Sequence, residues 1–204
     1  MQYFIYGEDE ITFLKKRDPI LGTAIDRLGL PDCQVIPDLF TALVNSVVAQ
    51  QISTKATETV WGRMLDCYGG DITADRISRS TQEEVQKFGM SRRKAGYIKG
   101  IADAIASGRL DVSALAKKSD DQIIKELITL PGIGVWTAEM ALLHSLERPD
   151  VLSWNDHGIR RGIMRLYHMD TLSKNEFAEL RRRYTPYGSI ASIYIWAVAH
   201  AASW

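Results

Sequence analysis

Apolar residues recur at three- and four-residue spacing along most of the chain, and each such run predicts a helix. Phe40, Leu43, Val44, Val47 and Val48 follow Asp38, which stands in N-cap position, and the run stops at the polar pair Gln50-Gln51, where a loop is expected. Ser53 starts a second helix with Val60, Met64 and Tyr68 on one face, closed by Gly69-Gly70. Ser80 and Glu83 have capping-box spacing ahead of Val85 and Phe88. Ser91 opens a helix carrying Ala95, Ile98, Ile101, Ala102 and Ile105, which Gly108 ends. Ser119 and Gln122 form another capping box, with Asp120 and Asp121 complementing the helix dipole, before Ile123, Ile124, Leu127 and Ile128. The turn Leu130-Pro131-Gly132-Ile133-Gly134 then leads into a helical pattern from Val135 to about Leu146. Asp156 occupies the N-cap position of a helix bearing Ile159, Ile163 and Leu166, and the last helix holds Ile190, Ile193, Tyr194, Ala197, Val198 and Ala201. Only Gln2 to Tyr6 looks like a strand. The reading is an all-α fold, one domain over residues 1–204, without repeats or a flexible linker.

Composition adds mainly exclusions. The 204 residues, 46% hydrophobic and 25% charged, describe an ordinary globule and exclude collagen-like, low-complexity and disordered classes. Charge is balanced, 25 Lys+Arg against 25 Asp+Glu, so no global field identifies a partner. Two cysteines, Cys33 and Cys67, are too few for a four-thiolate zinc or iron–sulfur site and are expected as free thiols. Glu8, Asp9 and Glu10 interrupt any secretory leader. The uncharged stretch Tyr187 to Trp204 contains Ser189, Ser192, His200 and Ser203 and is read as a buried helix rather than a membrane span. A cytoplasmic, nucleoid or nuclear monomer without a membrane partner is expected.

Chemistry first shows at the turn. Gly132 and Gly134 allow positive φ and keep side chains off the backbone, leaving helix-start amides open to an anion such as a phosphate. A plain helix–helix connection would use glycine in the same way. Asp156 lies 22 residues beyond Gly134, between Leu152-Ser153-Trp154-Asn155 and His157-Gly158-Ile159-Arg160-Arg161. Together with Leu130-Pro-Gly-Ile-Gly-Val-Trp-Thr-Ala138 this pattern resembles the helix-hairpin-helix superfamily of DNA glycosylases, and within it the 3-methyladenine DNA glycosylase II branch. The resemblance extends over Asp18-Pro19, Leu43 to Ala56, Gly89 to Gly100, the hairpin, Asp156, and Pro186-Tyr187 to Trp196. Too few residues precede Asp38 for the N-terminal β domain of longer members.

The resemblance implies two helical lobes around a DNA-binding cleft and a monofunctional enzyme that flips an alkylated purine out of duplex DNA and hydrolyses its N-glycosidic bond. Asp156 is the implied catalytic residue. A carboxylate ~4 Å from the positive charge growing on the sugar contributes about 4 kcal/mol at an effective dielectric near ~20, and it can also orient the attacking water. Gln51 matches the position that plugs the vacated stack, where several relatives carry leucine, with Gln50, Ile52 and Ser53 beside it on the DNA. Gly132, Ile133, Gly134 and Thr137 match the hairpin contacts. Arg92, Arg93 and Lys94 belong to a basic segment in which six cations (Lys87, Arg92, Arg93, Lys94, Lys99, Arg109) face one acid, Asp103. Further basic residues occur at Arg160, Arg161, Arg165 and Arg181-Arg182-Arg183.

Trp136, Met140 and Trp196 match pocket positions, Met140 standing where some relatives have tyrosine, and the indoles suit a cationic base; Trp154 is a weaker candidate. Bifunctional relatives carry lysine where Trp136 stands, so no Schiff base is expected. Family hairpins often hold a monovalent cation, here on the carbonyls of Ile128, Leu130 and Ile133; no side-chain metal site and no cofactor are expected. The four histidines show no ligand spacing and read as structural or surface groups. A non-catalytic helix-hairpin-helix DNA-binding protein, or a glycosylase for a neutral lesion such as hypoxanthine or uracil, stands as the alternative.

Overall fold

A computed structural model describes residues 2–204, and it divides into two compact units: residues up to Val35 with Leu142–Trp204, and Ile36–Ala141. The first unit begins with β1 (Gln2–Tyr3), α1 (Glu8–Arg17), α2 (Pro19–Leu28) and β2 (Gln34–Val35), the two strands pairing antiparallel as Gln2 with Val35 and Tyr3 with Gln34. The expected strand to Tyr6 is thus cut to two residues, and its partner had no sequence signal. The second unit contains α3 (Leu39–Ala49), α4 (Thr54–Cys67), α5 (Ala74–Arg79), α6 (Gln82–Gln86), α7 (Arg92–Ala106), α8 (Val112–Leu115), α9 (Asp120–Leu127) and α10 (Val135–His144). The last three residues of α10 count with the first unit, which α11 (His157–Leu166), α12 (Lys174–Tyr184) and α13 (Gly188–His200) complete.

Capping places most of these starts. Asp38, Ser53, Ser91, Ser119 and Asp156 each accept a backbone amide three residues on, as their positions predict. The box expected at Ser80 and Glu83 forms one residue later, between Thr81 and Glu84. Ser80 ends α5, and its hydroxyl is engaged with the Arg76 carbonyl and the Tyr68 hydroxyl, so Thr81 caps instead. Helices α1, α2, α5, α8 and α12 lie in segments whose periodicity gave no reading.

In the second unit α7 is the central helix, packed against α3, α5 and α6, with Ala95, Ile98, Ile101 and Ala102 fully buried. In the first unit α11 packs along α13, and Ile159, Ile163 and Leu166 are buried between neighbours. Each such side chain contributes about 1.5–3 kcal/mol by leaving water. The approach is close because Gly162 has no side chain: a Cβ there would collide with the Ile195 carbonyl oxygen.

Asp18 joins three segments of the same unit. It is 1% exposed, caps α2 through the amides of Ile20 and Leu21 at 3.1 Å, and accepts the hydroxyls of Tyr167 and Tyr184 and the Arg183 guanidinium at 2.9 Å. Burial alone would raise its pKa, but the Tyr167 hydroxyl, the Leu21 amide and Arg183 outweigh burial and hold it below the usual carboxylate value. Among the described residues, no helix is long and apolar enough to cross a membrane.

Candidate functional site

The second unit gathers the loop after α3, the start of α7 and the hairpin between α9 and α10. Gln51 has φ 58° and is exposed, with Ile52 and Ser53 exposed beside it. A non-glycine residue in the left-handed region is uncommon, and here it turns the chain sharply between α3 and α4. Gln50 Nε2 donates to the Gly132 carbonyl at 3.0 Å, so the amide ties the loop to the hairpin. The Lys94 ammonium donates to the Val48 carbonyl at 2.7 Å near the end of α3, and burial lowers its pKa. Arg93 is exposed at the start of α7, Arg92 is 3.5 Å from Glu83, and Lys99 is paired with Asp103 at 2.6 Å.

At the hairpin only Gly132 uses positive φ, at 82°; Gly134 does not. Gly132 also lies against the Tyr97 ring, which a Cβ would strike, whereas a Cβ on Gly134 would meet open space. The Leu130 carbonyl accepts the Ile133 amide at 3.2 Å, and the Gly134 carbonyl accepts the Ala138 amide at 3.0 Å, the first turn of α10. Ile133 and Thr137 are 5% exposed, so their side chains are buried and what the hairpin presents at these positions is backbone. Trp136 is 44% exposed, while Met140, at 8%, is buried. The carbonyls of Ile128, Leu130 and Ile133 are uncharged oxygen donors of the kind that suits a monovalent cation.

The first unit carries the carboxylate. Asp156 is 6% exposed, and its Oδ1 accepts the Ile159 amide at 2.9 Å and the Trp196 indole N–H at 3.2 Å. One oxygen thus both caps α11 and is held by α13. A Cβ on Gly158 would stand 3.0 Å from Trp196 Cδ1 and 3.1 Å from Asp156 Oδ1, so a side chain there would crowd the indole and the carboxylate. His144 stacks on the Trp196 ring with centroids 5.7 Å apart and planes at 17°. The imidazole Nδ1 lies 3.1 Å from the Gln34 carbonyl, with Cys33 Sγ at 3.7 Å. Burial pulls its pKa below the ordinary value, against the opposing pull of the Gln34 carbonyl and Asp156. The Cys33 thiol, also buried, is pushed up to about 11.

Sequence reasoning treated His144 as merely structural or surface and overlooked Gly158. A glycine in the first turn of a helix costs stability relative to alanine, so its presence signals a close approach. Trp154 lies edge-on to Phe177 and beneath Arg160. Arg165 binds the carbonyls of Ala199 and Ala201, and Arg183 is committed to Asp18.

Known proteins share this arrangement of elements. The chain is 31% identical to a DNA-3-methyladenine glycosylase of Bacillus subtilis over 92% of its own length and 66% of that protein's. It spans 53–66% of the length of three such curated relatives, two from Bacillus subtilis and one from Saccharomyces cerevisiae. The crystal structure of DNA-3-methyladenine glycosidase from Bacillus halodurans superposes with a TM-score of 0.87 at 32% identity, covering 98% of this chain and 94% of that one. Schizosaccharomyces pombe 3-methyladenine DNA glycosylase (Mag1), solved in complex with abasic DNA, gives 0.83 at 25% identity, covering 97% and 99%. The HhH-GPD superfamily model matches residues 44–186, a span that takes in the loop at Gln51, the glycine hairpin and Asp156. With the hairpin and the capped carboxylate both inside that match, the chain belongs to the HhH-GPD superfamily of base excision DNA repair proteins.

Proposed function

We propose that the chain is a monofunctional DNA glycosylase that removes alkylated purines of the 3-methyladenine type and leaves an abasic site. The observation that carries this reading is Asp156: a 6%-exposed carboxylate whose Oδ1 is held by both a helix amide and an indole N–H. A cap alone needs only the amide. An oriented carboxylate is what a cleaving glycosidic bond requires, because positive charge grows on the sugar and a water must be aimed at it.

The two units divide the work. The second supplies the hairpin amides, the exposed Arg93 and the strained Gln51, which fills the stack after a base is extruded at a cost of a few kcal/mol. A monovalent cation on the carbonyls of Ile128, Leu130 and Ile133 would add positive charge for the DNA backbone. The first unit supplies Asp156. The indoles of Trp136 and Trp196 favour a cationic base, by about 0.5–2 kcal/mol each. The relatives named for 3-methyladenine support the same lesion class.

Trp136 offers no amine, so strand cleavage through a Schiff base has no nucleophile at that position. The test is release of free base from duplex DNA carrying methylated purines, by the wild type and by Asp156→Asn, with borohydride present. Expected are base release by the wild type, a loss of at least about 10²-fold in the variant and no trapped covalent complex. Equal rates for the two proteins overturn the catalytic role of Asp156, and a borohydride-trapped adduct overturns the monofunctional assignment.

A further inference from the structure

We infer that His144 is a positioning residue for Asp156: stacked on Trp196 and anchored to β2, it holds the indole with its N–H on the carboxylate. The inference rests on the glycosylase reading for its consequence in catalysis, and on geometry alone for the positioning itself.

Three contacts within the first unit define the device. The Gln34 carbonyl can only accept, so Nδ1, 3.1 Å away, carries the proton and the tautomer is fixed with the ring turned toward the strand pair. The ring then lies nearly parallel to the Trp196 indole, 17° between planes, and covers one of its faces. Gly158 clears the N–H edge, since a Cβ there would press on Trp196 Cδ1 at 3.0 Å. An indole flanked in this way has little freedom to rotate, and its N–H stays 3.2 Å from Asp156 Oδ1. Oδ1 therefore keeps its place even when a substrate competes for the carboxylate. Reacting groups held in place before the reaction avoid a reorganisation cost at the transition state.

The imidazole must be neutral for this arrangement. The groups facing it are the Cys33 thiol and the Gln34 carbonyl beside β2, the uncharged indole from α13, and the Asp156 carboxylate ahead of α11. Burial favours the neutral ring. Protonation would set a cation against the same indole that receives the cationic base, and would draw Asp156 toward the imidazolium and away from the sugar.

The test pairs a structural with a kinetic readout. The Trp196 indole N–H resonance is identified by its loss in Trp196→Phe. It is expected to be slow to exchange and shifted in Asp156→Asn, to lose protection in His144→Ala and to regain it in His144→Phe, which restores a flat ring. An indole signal unchanged in His144→Ala overturns the inference, whatever the protein excises.

In single-turnover release of a methylated purine, His144→Ala and Gly158→Ala are expected to lose about tenfold or more in rate with unchanged affinity for abasic duplex, and His144→Phe to recover most of it. His144→Ala combined with Trp196→Phe should cost no more than the worse single variant, because both break one contact. Additive losses, or losses in affinity alone, overturn the role in catalysis. A wild type that releases no methylated base while the indole behaves as expected overturns the lesion assignment and leaves the positioning established.

Discussion

Gln50 and Gly132, 82 residues apart in sequence, meet through a single bond of 3.0 Å from the Gln50 side-chain amide to the glycine carbonyl. The loop after α3 and the glycine turn between α9 and α10 are thereby one mechanical piece. Lys94 reinforces it from α7 by binding the Val48 carbonyl, two residues ahead of Gln50. Bonds between segments help hold the shape of this piece, since Gln51 at φ 58° is in a region that a non-glycine residue seldom adopts, whereas Gly132 takes φ 82° without strain.

Gln50→Ala removes that link. A neutral hydrogen bond has a net worth of about 0.5–1.5 kcal/mol, so affinity for abasic duplex should fall roughly two- to tenfold. The rate of base release from fully bound enzyme should change little, because Asp156 belongs to the other unit. Fluorescence anisotropy and single-turnover kinetics separate the two effects. A large loss in rate at saturation would show that Gln50 takes part in the chemical step.

Gly132→Ala should be worse for stability than an ordinary hairpin substitution. The new methyl meets the Tyr97 ring and must also adopt φ 82°. Strain of these two kinds places the cost at about 1–3 kcal/mol, read as a lowered urea midpoint with an unchanged slope. Tyr97→Ala in the same chain relieves the collision but not the dihedral, so it should recover part of the loss. Full recovery would assign the whole cost to the ring.

Asp18 gives the first unit a pH-dependent stability whose sign follows from its lowered pKa. The folded state binds fewer protons than the unfolded state, so the contribution is whole above the unfolded value near ~3.9. It declines as pH falls below that value and is gone once pH has passed the lower folded pKa. Asp18→Asn keeps an acceptor for the α2 amides but loses the charge that Arg183 faces, which should cost on the order of 3 kcal/mol at pH 7. The gap between wild type and variant in urea midpoint should narrow through the acid range. A gap that stays constant to pH 3 refutes the assignment.

What could be read in the sequence was local. Asp156, Ser119 with Gln122 and the glycine hairpin announce themselves because a cap and a tight turn are satisfied within a few residues. The off-by-one box at Thr81 shows the limit of such signals: Ser80 and Thr81 are both hydroxyl residues followed three positions later by glutamate, and only a tertiary contact decides which is free. Tyr68 engages the Ser80 hydroxyl and leaves Thr81 to cap.

Helix α2 had a legible start in Asp18 followed by Pro19, and α12 in Ser173 with Glu176, but dense charge around the second masked its apolar positions Phe177, Leu180 and Tyr184. The roles of His144 and Gln50 had no local trace. Each depends on a partner, Trp196 or Gly132, that only the packed chain brings near.

The basic segment from Lys87 to Arg109 supplies the sharpest test of the proposed DNA contact, because its cations are not equivalent. Lys99 is spent on Asp103 at 2.6 Å and the Ser78 carbonyl at 2.8 Å, and Lys94 on the Val48 carbonyl, whereas Arg93 stands exposed at the start of α7. A cation that neutralises a phosphate releases about 0.9 of a counterion, which sets its share of the slope of log affinity against log salt. Arg93→Gln should therefore flatten that slope by about one and weaken binding most at low salt. Lys99→Met should leave the slope as it is, since its charge is already balanced within the protein. Lys94→Met should weaken binding at every salt concentration by loosening the loop at Gln51, again without a change in slope. If all three variants flatten the slope alike, the ion pair and the carbonyl contact give way when DNA binds, and the segment acts as an undifferentiated positive surface.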